Sequence, residues 1–225
     1  MIIDDIENKI INADCLDILK QLPDKSIDLI LTDPPYSIGV GKKTCKYDGK
    51  KHGNAKAARK EYQEKDWDDQ IPSEEIFKEM FRVSKNQIIF GGNYFVEYLT
   101  NSPCWIVWDK LTGKNDFADC ELAWTSFKSA VRKYEFRWSG MLQQNMANKE
   151  ERIHPTQKPS DLLAQIIRDY SKPGDLIMDP FSGSGSTAVA AYRMNRRYTC
   201  VEKDKEYYES SVIRLKNEQR QGKLW

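Results

Sequence analysis

Apolar and polar residues fall along this chain in short blocks whose period switches between that of a strand and that of a helix. Lys9-Ile10-Ile11-Asn12-Ala13-Asp14 reads as a strand ending in an acid, and Cys15 to Leu22 sets Leu16, Leu19 and Leu22 at helical spacing until Pro23. Ile27 to Thr32 is a β-favouring apolar run, and further strands are predicted at Gln87–Phe90, Trp105–Trp108, Glu121–Thr125, Asp175–Asp179 and Tyr198–Glu202. Tyr134 to Trp138 alternates aromatic and charged residues and reads either as another strand or as surface. A helix is predicted with Pro72 in its first turn and an apolar stripe of Ile76, Phe77, Met80 and Phe81, and a brief one over Tyr94–Leu99. Three more follow: one with Leu162, Leu163, Ile166, Ile167 and Tyr170 on a single face, one from Ala188 to Met194, and one over residues 204 to about 220. Strands alternating with helices predict an α/β domain. Only Gly39 to Asp69 shows no sustained period, and loops of that length are usually functional or disordered.

The sharpest break in the pattern is Thr32-Asp33-Pro34-Pro35-Tyr36, where an apolar run stops at two prolines. An acid, two rigid residues and an aromatic ring thereby sit at a strand's C-terminal end, the edge where open α/β sheets bind ligands. Neither proline has an N–H, and Pro35 drives Pro34 towards an extended conformation, so the Pro34 carbonyl is held outward. Asp33 and that carbonyl can each accept one N–H of an exocyclic amine while Tyr36 stacks on the ring that bears it. Taken alone, the same residues also suit an ordinary turn.

A second constellation lies far downstream. Asp175–Asp179, the Gly-rich turn Pro180–Thr187, the following helix and Tyr198–Glu202 make a strand, turn, helix, strand and acid, the layout of a nucleoside site in which the acid accepts ribose hydroxyls. Glu202 follows Gly183 by 19 residues, near the spacing of ~20 expected for that role. The turn lacks the lysine of a phosphate-binding loop, and Ala188 at the third fingerprint position leaves a dinucleotide open.

Composition narrows the field. At 225 residues the chain predicts one domain, 1–225. No apolar run approaches membrane-spanning length and Met1-Ile2-Ile3-Asp4-Asp5 is acidic where a signal peptide is basic, which predicts a cytoplasmic protein with no membrane partner. Five scattered cysteines without a Cys-x-x-Cys pair argue against a disulfide framework and a zinc site, so no metal is expected. Net charge is only +1, but it is uneven: Lys42–Lys65 holds nine Lys/Arg and three Asp/Glu, against 26 and 31 in the remainder. A basic segment, about 41–69, is inserted in a mildly acidic body.

Together the motifs resemble amino-methyltransferases that use S-adenosylmethionine. Asp33-Pro34-Pro35-Tyr36 matches that family's catalytic motif, and Asp179-Pro180-Phe181-Ser182-Gly183-Ser184-Gly185-Ser186-Thr187 its cofactor motif. Their order, with His154-Pro155-Thr156-Gln157-Lys158-Pro159 ahead of the cofactor strand, is similar to the β class of DNA amino-methyltransferases. The resemblance implies a three-layer α-β-α, doubly wound, Rossmann-like fold with a seven-stranded, mostly parallel sheet, circularly permuted so that the chain begins at the family's third strand and ends after its second. It implies Asp33, Pro34, Pro35 and Tyr36 as the catalytic residues. Asp14 would meet the cofactor's adenine, although a helix N-cap suits it equally. Glu202 would hold the ribose, and Asp179, Phe181, Gly183, Ser184, Gly185, Ser186 and Thr187, with Thr156 and Lys158, would surround the rest.

The implied reaction is methylation of an exocyclic amine in double-stranded DNA, with base flipping, and the acid in the first motif position is associated more with adenine N6 than with cytosine N4. Lys42, Lys43, Lys46, Lys50, Lys51, Arg59 and Lys60 are candidate DNA contacts, with Arg132, Lys133 and Arg137 as the fallback. Residues 126–152 are a short stretch for target recognition, and a second subunit completing the grip is left open. RNA or small-molecule amine methylation and a non-catalytic nucleotide-binding domain remain alternatives. Carbon-5 methylation would need a cysteine nucleophile, for which Pro103-Cys104 is the weak candidate.

Overall fold

The computed structural model describes residues 3–37, 68, 70–113, 118–139 and 142–222. In chain order the elements are β1 (Lys9–Asn12), α1 (Cys15–Leu19), β2 (Ile27–Thr32), α2 (Glu74–Val83), β3 (Ser84–Phe90), β4 (Trp105–Asp109), β5 (Cys120–Thr125), β6 (Arg132–Glu135), β7 (Trp138–Ser139), β8 (Leu142–Gln143), α3 (Ser160–Tyr170), β9 (Leu176–Asp179), α4 (Ser186–Arg193), β10 (Arg197–Glu202) and α5 (Lys205–Gln221). Eight strands form one sheet in the order β1-β10-β9-β2-β3-β5-β4-β6, and β7 pairs with β8 in a separate ribbon. β5 alone runs antiparallel to its neighbours β3 and β4; every other pairing in the sheet is parallel. The late strands β9 and β10 lie between β1 and β2, as the permuted layout requires.

Pleating sends alternate residues of the central strands to opposite faces. Leu29, Leu31, Ile88, Phe90 and Ile177 pack with Leu162, Ile166, Val189 and Leu215 of α3, α4 and α5. Ile30, Ile89, Leu176 and Met178 pack with Leu19, Phe77 and Met80 of α1 and α2. Three layers result. Because both faces are covered, the central strands read in sequence as continuous apolar runs, and β2 spans the predicted residues.

Four expectations need correction. The sheet has eight strands, because Arg132–Glu135 adds to β4 as a parallel edge strand; its charged side chains are exposed, as edges tolerate, and only Tyr134 is half-buried. Tyr94–Leu99 is not a helix: a 3-10 turn at Gly92–Tyr94 follows Gly91, whose φ of 66° breaks the chain direction. Pro72 precedes the N-cap Ser73 and so lies outside α2. α1 stops at Leu19, with turns taking the chain to Pro23. The basic residues Lys42, Lys43, Lys46, Lys50, Lys51, Arg59 and Lys60 lie outside the described residues. Among the described residues no helix is long and apolar enough to cross a membrane.

Candidate active site

From β9 the chain proceeds outward through β10, and from β2 it proceeds the other way through β3, so the crossovers part between these neighbours. Such a switch point opens a crevice at the carboxyl ends of the strands. A cavity of about 580 Å³ lies there, and its lining runs from Asp14, Glu202 and Gly183 to Lys158, Asp33 and Pro35.

At one end of the cavity, β2 delivers Asp33 just past Thr32. One Asp33 oxygen accepts the Tyr36 hydroxyl and the other accepts the Lys158 ammonium. The same ammonium stands 3.1 Å from Glu121 Oε2 at the start of β5, and Lys110 is paired with Glu121 Oε1 at 2.5 Å. Lys158 is only 8% exposed, with Phe90 and Tyr36 presenting their rings 5.2 and 5.9 Å from its nitrogen. Burial pushes the Asp33 carboxyl up, Lys158 opposes this, and Glu121 adds to it; the result lies above the ordinary value. Burial works against the Lys158 charge, but the two carboxylates outweigh it and hold the ammonium above the lysine norm. The Tyr36 phenol is pushed well up by burial and by Asp33, so it remains a donor.

The Tyr36 ring is fixed on several sides. Tyr94 stacks on it at 4.8 Å and 13°, and Gly91 passes so close that a Cβ there would fall 2.1 Å from Tyr36 Cε1. Asp68 Oδ1 accepts the backbone N–H groups of Tyr36 and Ser37 at 3.1 and 2.9 Å, fastening the turn after the prolines.

At the other end, the Gly-rich turn is built around Asp179. Its Oδ1 accepts Thr32 Oγ1 at 2.7 Å and the Phe181 N–H at 3.1 Å, and its Oδ2 accepts Thr187 Oγ1 at 2.6 Å. Both oxygens therefore brace the turn against β2, and burial raises the acid to about 6. Glu202 accepts the Gly183 N–H at 2.7 Å and the Asp204 N–H at 2.8 Å, which leaves lone pairs on each oxygen for a ligand in the cavity it lines. Asp14 does act as an N-cap, accepting the Leu16 N–H at 3.0 Å; its second oxygen pairs with Lys203, which holds the acid below the usual range. Gly185 starts α4 at φ 73°, with Ser211 Cβ 3.0 Å from where its own Cβ would be. Thr156 meets His154 Nδ1 at 3.1 Å, and Ser186 donates to the Lys158 carbonyl at 2.7 Å.

Of the predicted site residues, the cavity lining brings together Asp33, Pro35, Asp14, Thr156, Lys158, Asp179, Phe181, Gly183, Ser184, Ser186, Thr187 and Glu202. Lys158 contacts the Asp33 carboxylate as well as the cavity, which its assignment to the cofactor segment did not foresee. Cys104 is buried, hydrogen-bonded by Ser129 at 3.2 Å, and not part of the lining. Lys133 of the fallback basic group is paired with Asp109 and Glu135.

Sequence reasoning missed Glu121, Lys110, Asp68, Gly91 and a buried cluster behind the turn. In that cluster Arg214 donates to Glu150 Oε2 at 2.6 Å, Ser160 Oγ at 2.6 Å and the Ser184 carbonyl at 2.9 Å, while Glu150 accepts the Ser160 N–H at 2.9 Å at the start of α3. Glu121 sits at the start of β5 and reaches the crevice edge because that strand runs antiparallel, which its sequence did not reveal. Asp68 and Arg214 carried none.

A family model described as a DNA methylase matches residues 105–213. The Type II methyltransferase M.HinfI of Haemophilus influenzae is 29% identical over 259 aligned residues, covering 95% of this chain and 70% of that protein. The Type II methyltransferase M2.DpnII of Streptococcus pneumoniae is 27% identical over 255, covering 93% and 90%. The solved complex of M1.HpyAVI with SAM superposes with a TM-score of 0.56 at 22% identity, covering 92% of this chain and 98% of that one, which establishes a shared fold.

Proposed function

We propose that the chain is a DNA methylase, as the family model matching residues 105–213 supports, and that it transfers the methyl group of S-adenosylmethionine to the exocyclic amine of a base flipped out of duplex DNA, with adenine N6 the preferred target. The observation that carries this reading is the continuous cavity that joins a nucleoside-type end, with Asp14 and Glu202, to Asp33 and Pro35. Its size of about 580 Å³ suits a small-molecule site. When bound, the cofactor supplies a methyl group on a positively charged sulfur, open to direct displacement, so no covalent enzyme intermediate is required.

Glu202 would hold the ribose hydroxyls, Asp14 the adenine amine, and the turn Phe181–Thr187 with Thr156 the methionine end. Asp179, engaged by Thr32, Phe181 and Thr187, holds the turn in shape where it lines the cavity. At the target, an exocyclic amine conjugated with its ring is a poor nucleophile until its nitrogen is drawn towards tetrahedral geometry. Asp33 and the Pro34 carbonyl accept its two N–H bonds and do so, and Tyr36 replaces the stacking lost on flipping. The preference for adenine rests on the acid at Asp33. Residues 126–152, including β6 and the β7–β8 ribbon, are the proposed recognition region, and the basic segment about 41–69 the proposed phosphate contact.

Incubation with labelled S-adenosylmethionine and duplex DNA, RNA or free nucleosides, followed by mass spectrometry of the digest, tests this directly. N6-methyladenine in DNA is expected. N4-methylcytosine alone would move the base assignment, label only in RNA or nucleosides would move the substrate, and no transfer with intact cofactor binding would leave a nucleotide-binding domain.

A further inference from the structure

Under the methyl-transfer reading, on which this inference rests, Asp33 faces two opposed demands. It must stay ionised in a buried site, which calls for a cation beside it. It must also have accepting capacity left for the target amine, which a tight private ion pair would take away. One of its oxygens already receives the Tyr36 hydroxyl and the other the Lys158 ammonium. Lys158 does not belong to Asp33 alone, however: Glu121 Oε2 lies 3.1 Å from the same nitrogen, and Lys110 lies 2.5 Å from Glu121 Oε1. The four groups come from the end of β2, the segment before α3, the start of β5 and the end of β4, and along the row their charges alternate and cancel.

We propose that Glu121 is a positioning residue for methyl transfer: by sharing the Lys158 ammonium it loosens the pair that Lys158 makes with Asp33, so that a carboxylate oxygen is free for the target amine. Without Glu121, Lys158 has Asp33 as its sole anionic partner among the described residues, and the pair tightens. Without Lys158, two buried carboxylates face each other and Asp33 takes up a proton. Lys110 neutralises the charge that Glu121 would otherwise add. The ionisable groups facing Asp33 are Lys158, Glu121 and Tyr36, with Asp179 of β9 also within its field; those facing Glu121 are Lys158 and Lys110, with Asp33 across the shared ammonium.

The variant E121Q keeps the shape and removes the charge. Expected is a fall in kcat of about 10- to 100-fold, the scale on which groups that orient another group's contact act. The Kd for S-adenosylhomocysteine should hold, and the acid limb of kcat/KM should move to lower pH, because a carboxylate that pushed Asp33 up is gone. K158M should move the limb to higher pH. In E121Q/K158M the loss of Glu121 should add nothing to the loss of Lys158, since one acts through the other. A merely structural role would lower the melting temperature and leave the limb in place. Should E121Q not fold, E121D, which withdraws the carboxylate by one methylene, should show an intermediate loss of kcat. A wild-type kcat with an unmoved limb in folded E121Q, additive losses in the double variant, or wild-type kcat in E121D would overturn the proposal. Wild type assayed beside the variants separates the two readings: if it methylates no DNA the functional reading fails, and if it does while E121Q is indifferent only the role of Glu121 fails.

Discussion

Replacing Gly91 by alanine disturbs the stacking ring without altering any atom of it. The added Cβ would lie 2.1 Å from Tyr36 Cε1, 2.5 Å from Cζ and 2.8 Å from Cδ1, whereas ordinary contacts begin at about 3.4 Å, so the ring must retreat by over ~1 Å. The backbone cannot yield instead, since the Gly91 N–H is tied to the Leu122 carbonyl on β5 at 2.8 Å. Gly91 also sits at φ 66°, where a side chain costs about 1–2 kcal/mol. Displacing the packed ring adds about 1–3 kcal/mol, and for a chain of this size ~2–4 °C of melting temperature per kcal/mol gives a loss of roughly 4–20 °C. Misplacing a substrate-positioning group by ~1 Å costs on the order of 10²-fold in rate. The expected outcome is therefore a folded variant with kcat lowered by about that factor and unchanged calorimetric affinity for S-adenosylhomocysteine, because the cofactor end of the cavity is untouched. Full methyl transfer by G91A would refute the role given to the Tyr36 ring. An equal loss of cofactor affinity would show that the substitution acts by general disruption.

Asp33→Ala should lower turnover by at least ~10²-fold while cofactor binding persists, as measured by label transfer beside calorimetry; an active variant would end the proposed mechanism. Glu202→Ala removes a charged acceptor worth about 1.5–3 kcal/mol, so the Kd for S-adenosylhomocysteine should rise by roughly 10- to 150-fold, and an unchanged Kd would move the ribose contact elsewhere. The folded-state value of Asp179, raised to about 6, predicts a stability contribution present below the unfolded carboxyl value of ~3.9 and lost as pH rises through 6, on the order of 3 kcal/mol. The melting temperature of wild type relative to D179N should accordingly fall between pH 4 and about 7, and parallel curves would contradict it. Reversing the charges of Lys42, Lys43, Lys46 and Lys50 together should flatten the slope of log K for DNA against log salt by ~0.9 for each phosphate no longer neutralised and leave cofactor affinity alone; an unchanged slope would make the segment a passenger.

The central strands were legible because parallel strands covered on both faces need apolar residues at nearly every position, and each run ended where a polar residue faced the crevice, as at Asp33, Asp179 and Glu202. β6 was hard to place for the converse reason: Arg132, Lys133 and Glu135 lie on an exposed edge, where burial imposes no pattern. The two site motifs could be read because each is contiguous. The ion row could not, since the meeting of Lys158 with Glu121 and of Glu121 with Lys110 depends on β5 lying between β3 and β4, an order that no local pattern encodes. The Asp14 cap is local and thus visible in the sequence, whereas Lys203 comes to it only by strand pairing.

The hydrogen bond from Thr32 to Asp179 joins residues 147 positions apart, and the ladder beside it registers only Leu29 with Ile177 and Ile30 with Met178. The residues proposed to act on the base are thus translated well before β9, the strand that completes their pocket. A chain interrupted anywhere before β9 would still carry Asp33-Pro34-Pro35-Tyr36 but would lack the wall against which that segment is set. Strand order alone therefore withholds the proposed site from unfinished copies.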